Sequence, residues 1–398
     1  MSKTEKFIAE VERYSAHNYH PLPVVISEAE GIWVKDVEGK KYIDMLSAYS
    51  AVNQGHRHPK IVKALKDQAD RLTLTSRAFH NDQMGPFLKK LTTYAGYDKG
   101  LLMNTGAEAV ETAIKSARRW GYQRKKVAED KARIIVCEGN FHGRTTTIIG
   151  FSTDPVCRGG FGPFTPGFDV IPYNDAAALE RAITQETVAF LVEPIQGEAG
   201  VFVPSEGFLK RCAEICKQNS VLLIADEIQT GFGRTGRRFC SDWEGVRPDV
   251  ICLGKAMGGG VYPISGIVAD DEIMMAAFEP GNHGSTFGGN PLACAVATAS
   301  IEVIEDEHLA ERSAELGDFF RGELHKIKHP RIKEIRGKGL LTGLELHEIA
   351  RPFSLELMNR GILAKDTHGT TIRFAPPLVI KKDELAGALK TITEVLSK

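Results

Sequence analysis

Between about residue 100 and residue 270 the chain alternates two kinds of pattern. Short runs of continuous apolar residues (LLMN, ARIIVCE, VAFLVEP, VLLIADE, DVICLGK, ISGIVAD) are separated by stretches whose apolar positions recur every three to four residues, as in Ala107 to Trp120 and Phe208 to Gln218. Runs rich in Val and Ile with no polar alternation belong to strands covered on both faces, and the intervening helices supply the cover. The pattern predicts an α/β fold with a mostly parallel central sheet flanked by helices. A long apolar helix follows from Pro291 to about Ile304, after which the chain changes character: a charge-rich helix, IKEIRGKGLLTGLEL, another helix, TIRFAPP, and a last helix starting at Lys382-Asp383-Glu384. This reads as a smaller α+β unit. Near the other end, GIWVKDVEGKKYIDM has the form of a hairpin turning at Glu38-Gly39, expected to pack with that C-terminal unit. The resulting division is a large domain over 46–299 and a small domain assembled from both chain ends, 1–45 and 300–398.

Composition narrows the function classes. With 398 residues, 42% hydrophobic and 25% charged, the chain is long enough for two to three compact units and unlike disordered, collagen-like or coiled-coil sequences. Fifty basic against fifty-one acidic side chains leave a net charge of −1. Such a balance provides no field for a polyanion, so neither nucleic acid nor a membrane surface is expected as partner. Seven cysteines at 137, 157, 212, 216, 240, 252 and 294 follow neither a disulfide nor a zinc spacing. Cys212 and Cys216, one helical turn apart, read as buried thiols. The first twenty residues are charged throughout and lack an apolar core of the export type, and the longest uncharged run, Gly284 to Ile301, is too polar to cross a membrane. A cytoplasmic location is expected.

The chemistry-bearing residues cluster at strand ends. VLLIAD ends in Asp226-Glu227, and twenty-nine residues after Asp226 the run DVICLG ends in Lys255, followed by Gly258-Gly259-Gly260. Ligands of open α/β sheets gather at the carboxyl ends of strands, so neighbouring strands would bring Asp226 and Lys255 into one crevice. A desolvated lysine amine is a nucleophile suited to Schiff-base formation, and an aspartate at fixed distance is what pyridoxal phosphate needs at its ring nitrogen. Each residue alone is equally consistent with a solvated strand-end charge. In LLMNTGAEAVETAIKSARRW a strand runs into a helix whose first N–H groups suit a phosphate, although Thr105 and Glu108 also make an ordinary capping box. The loop His283 to Pro291 offers a second phosphate contact. His56, His58 and Pro59 read as a helix-start turn rather than a metal site, Glu193-Pro194 as a strand end with a local hydrogen-bonding role, and no dinucleotide fingerprint is present.

IADEIQTGFGRTG, LGKAMGGG and GSTFGGNPLA, in that order, closely resemble the signature of the subgroup III (ω-amino acid) aminotransferases among the fold-type I pyridoxal phosphate enzymes. YSAHNYHPLPVV, LSAYSAVNQGHRHP, TLTSRAFHN, NFHGRT, VEPIQGEAGV and RFAPPLVI extend the resemblance over nearly the whole chain, toward members acting on ornithine. The resemblance implies pyridoxal 5'-phosphate as cofactor, a homodimer with active sites at the subunit interface, and L-ornithine, 2-oxoglutarate and L-glutamate as small-molecule substrates. It implies that Lys255 bonds the cofactor and shuttles a proton, Asp226 pairs with the ring nitrogen, Gln229 meets the phenolic oxygen and Phe141 stacks on the ring. Gly106 and Ala107 would hold the phosphate, with Ser285 and Thr286 reaching over from the partner. Arg144 would bind the α-carboxylate of ornithine, Tyr19 and Tyr49 would orient its α-amino group, and Arg373 would take the α-carboxylate of glutamate. Glu198 would neutralise Arg373 while ornithine is bound. His142, beside Phe141, receives no role. N-acetylornithine and 4-aminobutyrate are alternative amines. An aminomutase would need no external keto acid, and a non-catalytic relative would lack Lys255 or Asp226, both of which are present.

Overall fold

The computed structural model describes residues 1–397, with fifteen strands among them numbered β1 to β15 in chain order. β1 (Ile26–Glu30), β2 (Trp33–Asp36) and β3 (Lys41–Asp44) form an antiparallel meander. Its second turn is built by Asp36, whose Oδ1 accepts the N–H groups of Glu38 at 3.0 Å and Lys40 at 2.8 Å, with Gly39 at φ +92°. That is the hairpin expected at Glu38-Gly39. On the other edge of β3 lies β13 (Ile362–Leu363), paired in parallel, so the two chain ends share one sheet.

The central sheet has the order β4-β10-β9-β8-β7-β5-β6. Its strands are Lys99–Met103, Arg133–Cys137, Phe168–Ile171, Thr187–Val192, Leu222–Asp226, Val250–Leu253 and Ser265–Ala269. From β9 to β6 every pairing is parallel, whereas β10 runs antiparallel to both β9 and β4. All six apolar runs become strands of this sheet. Period-two alternation divides their side chains between two cores. Ile134 and Val136 meet Ala109, Val110, Ala113 and Ala117 of the helix Gly106–Trp120 on one face. Ile135 and Cys137 meet Leu209, Cys212, Ile215 and Cys216 of the helix Phe208–Gln218 on the other. The two cysteines are buried thiols, as their one-turn spacing suggests.

A third sheet, β11-β12-β15-β14, is antiparallel throughout and comprises Ile332–Lys338, Leu341–Leu346, Lys365–Thr367 and Thr371–Phe374. Where it meets the central body sits Arg234, fully buried and, among the described residues, without a carboxylate partner. It donates to Asn53 Oδ1, to Leu340 O at 2.9 Å and to Pro376 O at 2.7 Å, so three separate chain segments converge on one guanidinium. Burial pushes its pKa down to about 9. No helix among the described residues is long and apolar enough to cross a membrane.

Candidate active site

Four parallel strands deliver their carboxyl ends to one place, which is where an open α/β sheet leaves a crevice. β8 ends at Asp226, β9 ends two residues before Lys255, β7 ends one before Glu193, and the loop after β5 carries Phe141 and His142. Together with Gly106, Ala107, Ile228 and Gln229 these residues line a cavity of about 130 Å³. The pairing of β8 with β9 sets Asp226 against Cys252, three residues before Lys255, so the sequence expectation of neighbouring strands holds. Lys255 sits at φ +44°, a conformation that costs a non-glycine residue about 1–3 kcal/mol and is kept where the surroundings over-determine it. Burial lowers the proton affinity of its amine, with Glu198 partly opposing. Among the described residues that amine has no hydrogen-bond partner.

Two residues that sequence reading left without a part in this site stand in its wall. His142 is fully buried, and its Nδ1 lies 2.7 Å from Asp226 Oδ2. Burial lowers the proton affinity of the imidazole, but the hydrogen bond to Asp226 and the negative charge of Asp226 together outweigh it, and the pKa is raised. The second carboxylate oxygen, Oδ1, accepts the Ile228 N–H at 3.1 Å, so both oxygens of Asp226 are oriented. Glu193 accepts the Phe141 N–H at 2.9 Å, and its backbone carbonyl accepts the Tyr173 hydroxyl at 3.1 Å. The local hydrogen-bonding role expected of it is present, and the side chain also lines the cavity. Burial pushes its pKa up to about 8.

The opposite wall is a helix N-terminus. Thr105 Oγ1 accepts the Glu108 N–H at 3.2 Å, while Glu108 Oε2 accepts the N–H groups of Asn104 at 3.1 Å and Thr105 at 2.7 Å. The expected capping box is present and does not claim every amide at this helix end. The cap consumes those three amides and leaves the Gly106 and Ala107 amides, which face the cavity, with no partner among the described residues. Nearby, Ser285 Oγ accepts from Asn104 Nδ2 at 2.9 Å, which ties the 283–291 loop to the same strand end; Thr286 is exposed.

Beside the cavity lies a buried ion pair. Arg373, on β15 and 2% exposed, donates through Nη1 to Glu198 Oε1 at 2.7 Å. The same oxygen accepts from Gln229 Nε2 at 2.9 Å, so Gln229 both lines the cavity and joins the pair, a second contact that sequence reading missed. Burial alone would raise the pKa of Glu198, yet Arg373 and Lys255 bring it down to about 2. A Cβ at Gly197 would overlap the Gln229 amide, so any other residue there would have to displace Gln229 from the pair. The Arg373 guanidinium stands 4.7 Å from the Tyr49 ring. Tyr49 is presented by four consecutive left-handed residues, Ser47 to Ser50. The turn is anchored by Asp44 Oδ1, which accepts from the Leu46 and Ser47 amides at 2.8 and 2.9 Å, and by Ser47 Oγ donating to Ala375 O at 2.7 Å. Arg144 is exposed with its guanidinium 5.8 Å from the Phe141 ring centroid, and Tyr19 is 70% exposed. His56 and His58 lie apart from the site, against Asp44 and Glu307, at the start of the helix Pro59–Ala69.

Comparison with known proteins places this geometry among relatives. Residues 14–396 match the family model described as aminotransferase class-III. The ornithine aminotransferase of Brevibacillus brevis is 62% identical over 396 residues, spanning 100% of this chain and 99% of that protein. A Toxoplasma gondii ornithine aminotransferase structure, described as having partial occupancy of PLP at its active site, is 48% identical with a TM-score of 0.98, covering 99% of this chain and 94% of that one. The acetylornithine aminotransferase structure from Elizabethkingia anophelis is 51% identical with a TM-score of 0.91 and covers 100% of both chains.

Proposed function

The chain belongs to the class-III aminotransferases, and from that premise we propose that it transfers the δ-amino group of L-ornithine to 2-oxoglutarate, giving L-glutamate 5-semialdehyde and L-glutamate. The observation that carries the substrate assignment is the buried Arg373–Glu198 pair at 2.7 Å beside the lysine-bearing cavity. A donor with two amines must react at its far end while its α-carboxylate is kept away from the cofactor. A guanidinium already neutralised by Glu198 does not attract that carboxylate. Glutamate reacts at its α-amine and must dock its α-carboxylate close in, which requires the same guanidinium freed.

Pyridoxal phosphate is the cofactor, and when bound it supplies an electron sink conjugated to the substrate amine. The cavity suits it on three counts: an unpartnered lysine amine, two unclaimed helix N-terminal amides for a phosphate, and a carboxylate fixed at both oxygens. Asp226 would pair with the ring nitrogen and favour its protonated form, and His142, 2.7 Å from Asp226 Oδ2, fixes the direction of that carboxylate. Phe141 and Ile228, which line the cavity, would hold the ring between them. Lys255 Nζ, with its proton affinity lowered, accepts the proton leaving the amine-bearing carbon of the substrate and returns it. Arg144 binds the ornithine α-carboxylate through its two-pronged guanidinium, and Tyr19 and Tyr49 orient the α-amino group. Ser285 and Thr286 would complete the phosphate site of a second subunit, an arrangement that requires a homodimer. The division into a large domain, 46–299, and a small one from both chain ends is part of the same reading.

The test is the visible spectrum of the cofactor-loaded protein before and after L-ornithine, with N-acetylornithine as comparator. Bleaching of the yellow form by ornithine alone is expected. Bleaching by the acetylated amine instead would move the assignment to an acetylornithine enzyme and remove Tyr19 and Glu198 from their roles.

A further inference from the structure

Glu198 sits in a loop closed at its base by the antiparallel bridge between Gln196 and Phe202, whose amides and carbonyls exchange hydrogen bonds at 3.0 and 3.1 Å. Inside that loop two outward carbonyls are gripped by the third sheet. Glu198 O accepts from Thr367 Oγ1 of β14 at 2.7 Å. Gly200 O accepts from Arg336 of β11 twice, through Nε at 3.0 Å and Nη2 at 2.8 Å. Arg336 is itself immobilised: it is 8% exposed, its Nη1 donates to Glu334 at 2.6 Å and to Glu345, and its guanidinium lies 4.3 Å from the Phe202 ring. Gly200, at φ +128°, admits this approach because a Cβ there would stand 3.1 Å from Arg336 Nη2. Arg373 belongs to β15 of the same sheet.

We propose that Arg336 and Thr367 are positioning residues for substrate discrimination, holding the loop backbone at Glu198 itself and two residues beyond it, so that only the Glu198 side chain moves when Arg373 is released. This rests on the reading of the Arg373–Glu198 pair as the element that separates ornithine from glutamate. The geometry supports it because donor and acceptor of the pair are referenced to one sheet. Removing a pin frees the loop carbonyls without touching Arg373, the cavity or Lys255, so the paired arrangement loses precision while the catalytic lysine does not.

The experiment uses the full-length, cofactor-loaded protein and measures the two half-reactions separately, by rapid mixing with L-ornithine alone and L-glutamate alone. Thr367→Val, Thr367→Ser, Arg336→Gln and Glu198→Ala are compared with the parent. The expected result is a Thr367→Val shift in the glutamate-to-ornithine ratio of kcat/KM by roughly 3- to 10-fold toward glutamate, the size of one lost buried hydrogen bond. Arg336→Gln shifts it the same way, Thr367→Ser restores it, and adding Thr367→Val to Glu198→Ala produces no further shift because the pin acts through Glu198. Hydrogen exchange of the 196–202 amides, measured with and without cofactor, quickens in Thr367→Val and Arg336→Gln. If Glu198→Ala shifts the ratio but Thr367→Val leaves it within twofold, or depresses both half-reactions equally, the positioning role is overturned and the reading of the pair stands. If Glu198→Ala itself leaves the ratio unchanged, the reading of the pair fails and this inference falls with it.

Discussion

Replacing Glu198 by Gln keeps its shape and an oxygen able to accept from Arg373, and removes only the charge. The carboxylate is held ionised down to about 2, against an ordinary value of 4.5, because Arg373 and Lys255 outweigh the burial that would raise it. That difference, at 1.36 kcal/mol for each pH unit, corresponds to about 3 kcal/mol in favour of the charged partner. Glu198 remains 23% exposed, and Lys255 and Gln229 share in the shift, so about 2–3 kcal/mol is the most that a competing substrate carboxylate must match. In Glu198→Gln that competition disappears. The ratio of glutamate to ornithine half-reactions is expected to rise roughly 30- to 100-fold. The assay is single-turnover absorbance of the loaded protein mixed with each amino acid alone. A depressed carboxylate pKa means that the pair persists above the ordinary value and is lost only as pH falls through about 2. The parent ratio is therefore expected to stay flat from about pH 6 to about pH 9 as far as Glu198 is concerned. A Glu198→Gln ratio within twofold of the parent, or shifted toward ornithine, refutes the argument.

Three further outcomes follow from geometry already described. If Lys255 is the proton carrier proposed above, Lys255→Ala is expected to slow both half-reactions by at least about 100-fold, with the amino acids still bound, as single-turnover rates and titration of bleaching report separately. Glu193 is held protonated up to about 8 by burial, so its contribution to stability is complete below the ordinary value of 4.5 and fades as pH rises toward 8. Glu193→Gln lacks this loss, and the gap in Tm between about pH 6 and about pH 9 is expected to be smaller for the variant than for the parent; equal gaps would count against a buried neutral acid. Arg234→Met leaves Asn53, Leu340 and Pro376 without their donor and is expected to cost about 3–5 kcal/mol, read from urea denaturation midpoints. A change below about 1 kcal/mol would mean that those carbonyls find other partners.

What the sequence made legible follows from how each feature is encoded. Of the six central strands that announce themselves, the five inner ones are buried on both faces, so their apolar runs are uninterrupted; β4, at the sheet edge, is buried only toward its end, at Leu102 and Met103. β6 escapes because it is a four-residue edge strand whose Asp169 faces Arg133, and β1 because ISEAE is polar and mostly exposed. Asp226 and Lys255 are visible because they end strands beside turn residues. His142 and Glu193 are harder, since the contact of His142 with Asp226 spans 84 residues. A signal did exist for Glu193: it follows a six-residue run of fully buried positions, and so reaches the same sheet edge as Asp226. Nothing local distinguishes Arg336 or Thr367. Their meaning comes from carbonyls that only the folded chain brings to them.

The left-handed turn from Ser47 to Ser50 sets a limit on how this chain can be improved. Each of its four L-residues adopts a backbone that costs about 1 kcal/mol or more, and glycine would adopt it freely. A laboratory selection for heat resistance alone would accordingly accumulate glycine at Ala48 or Ser50. The same exchange would slacken the arch that carries Tyr49 beneath Arg373. On the reading proposed above, thermal hardiness and discrimination between two amino acids are set against each other by the handedness of four residues.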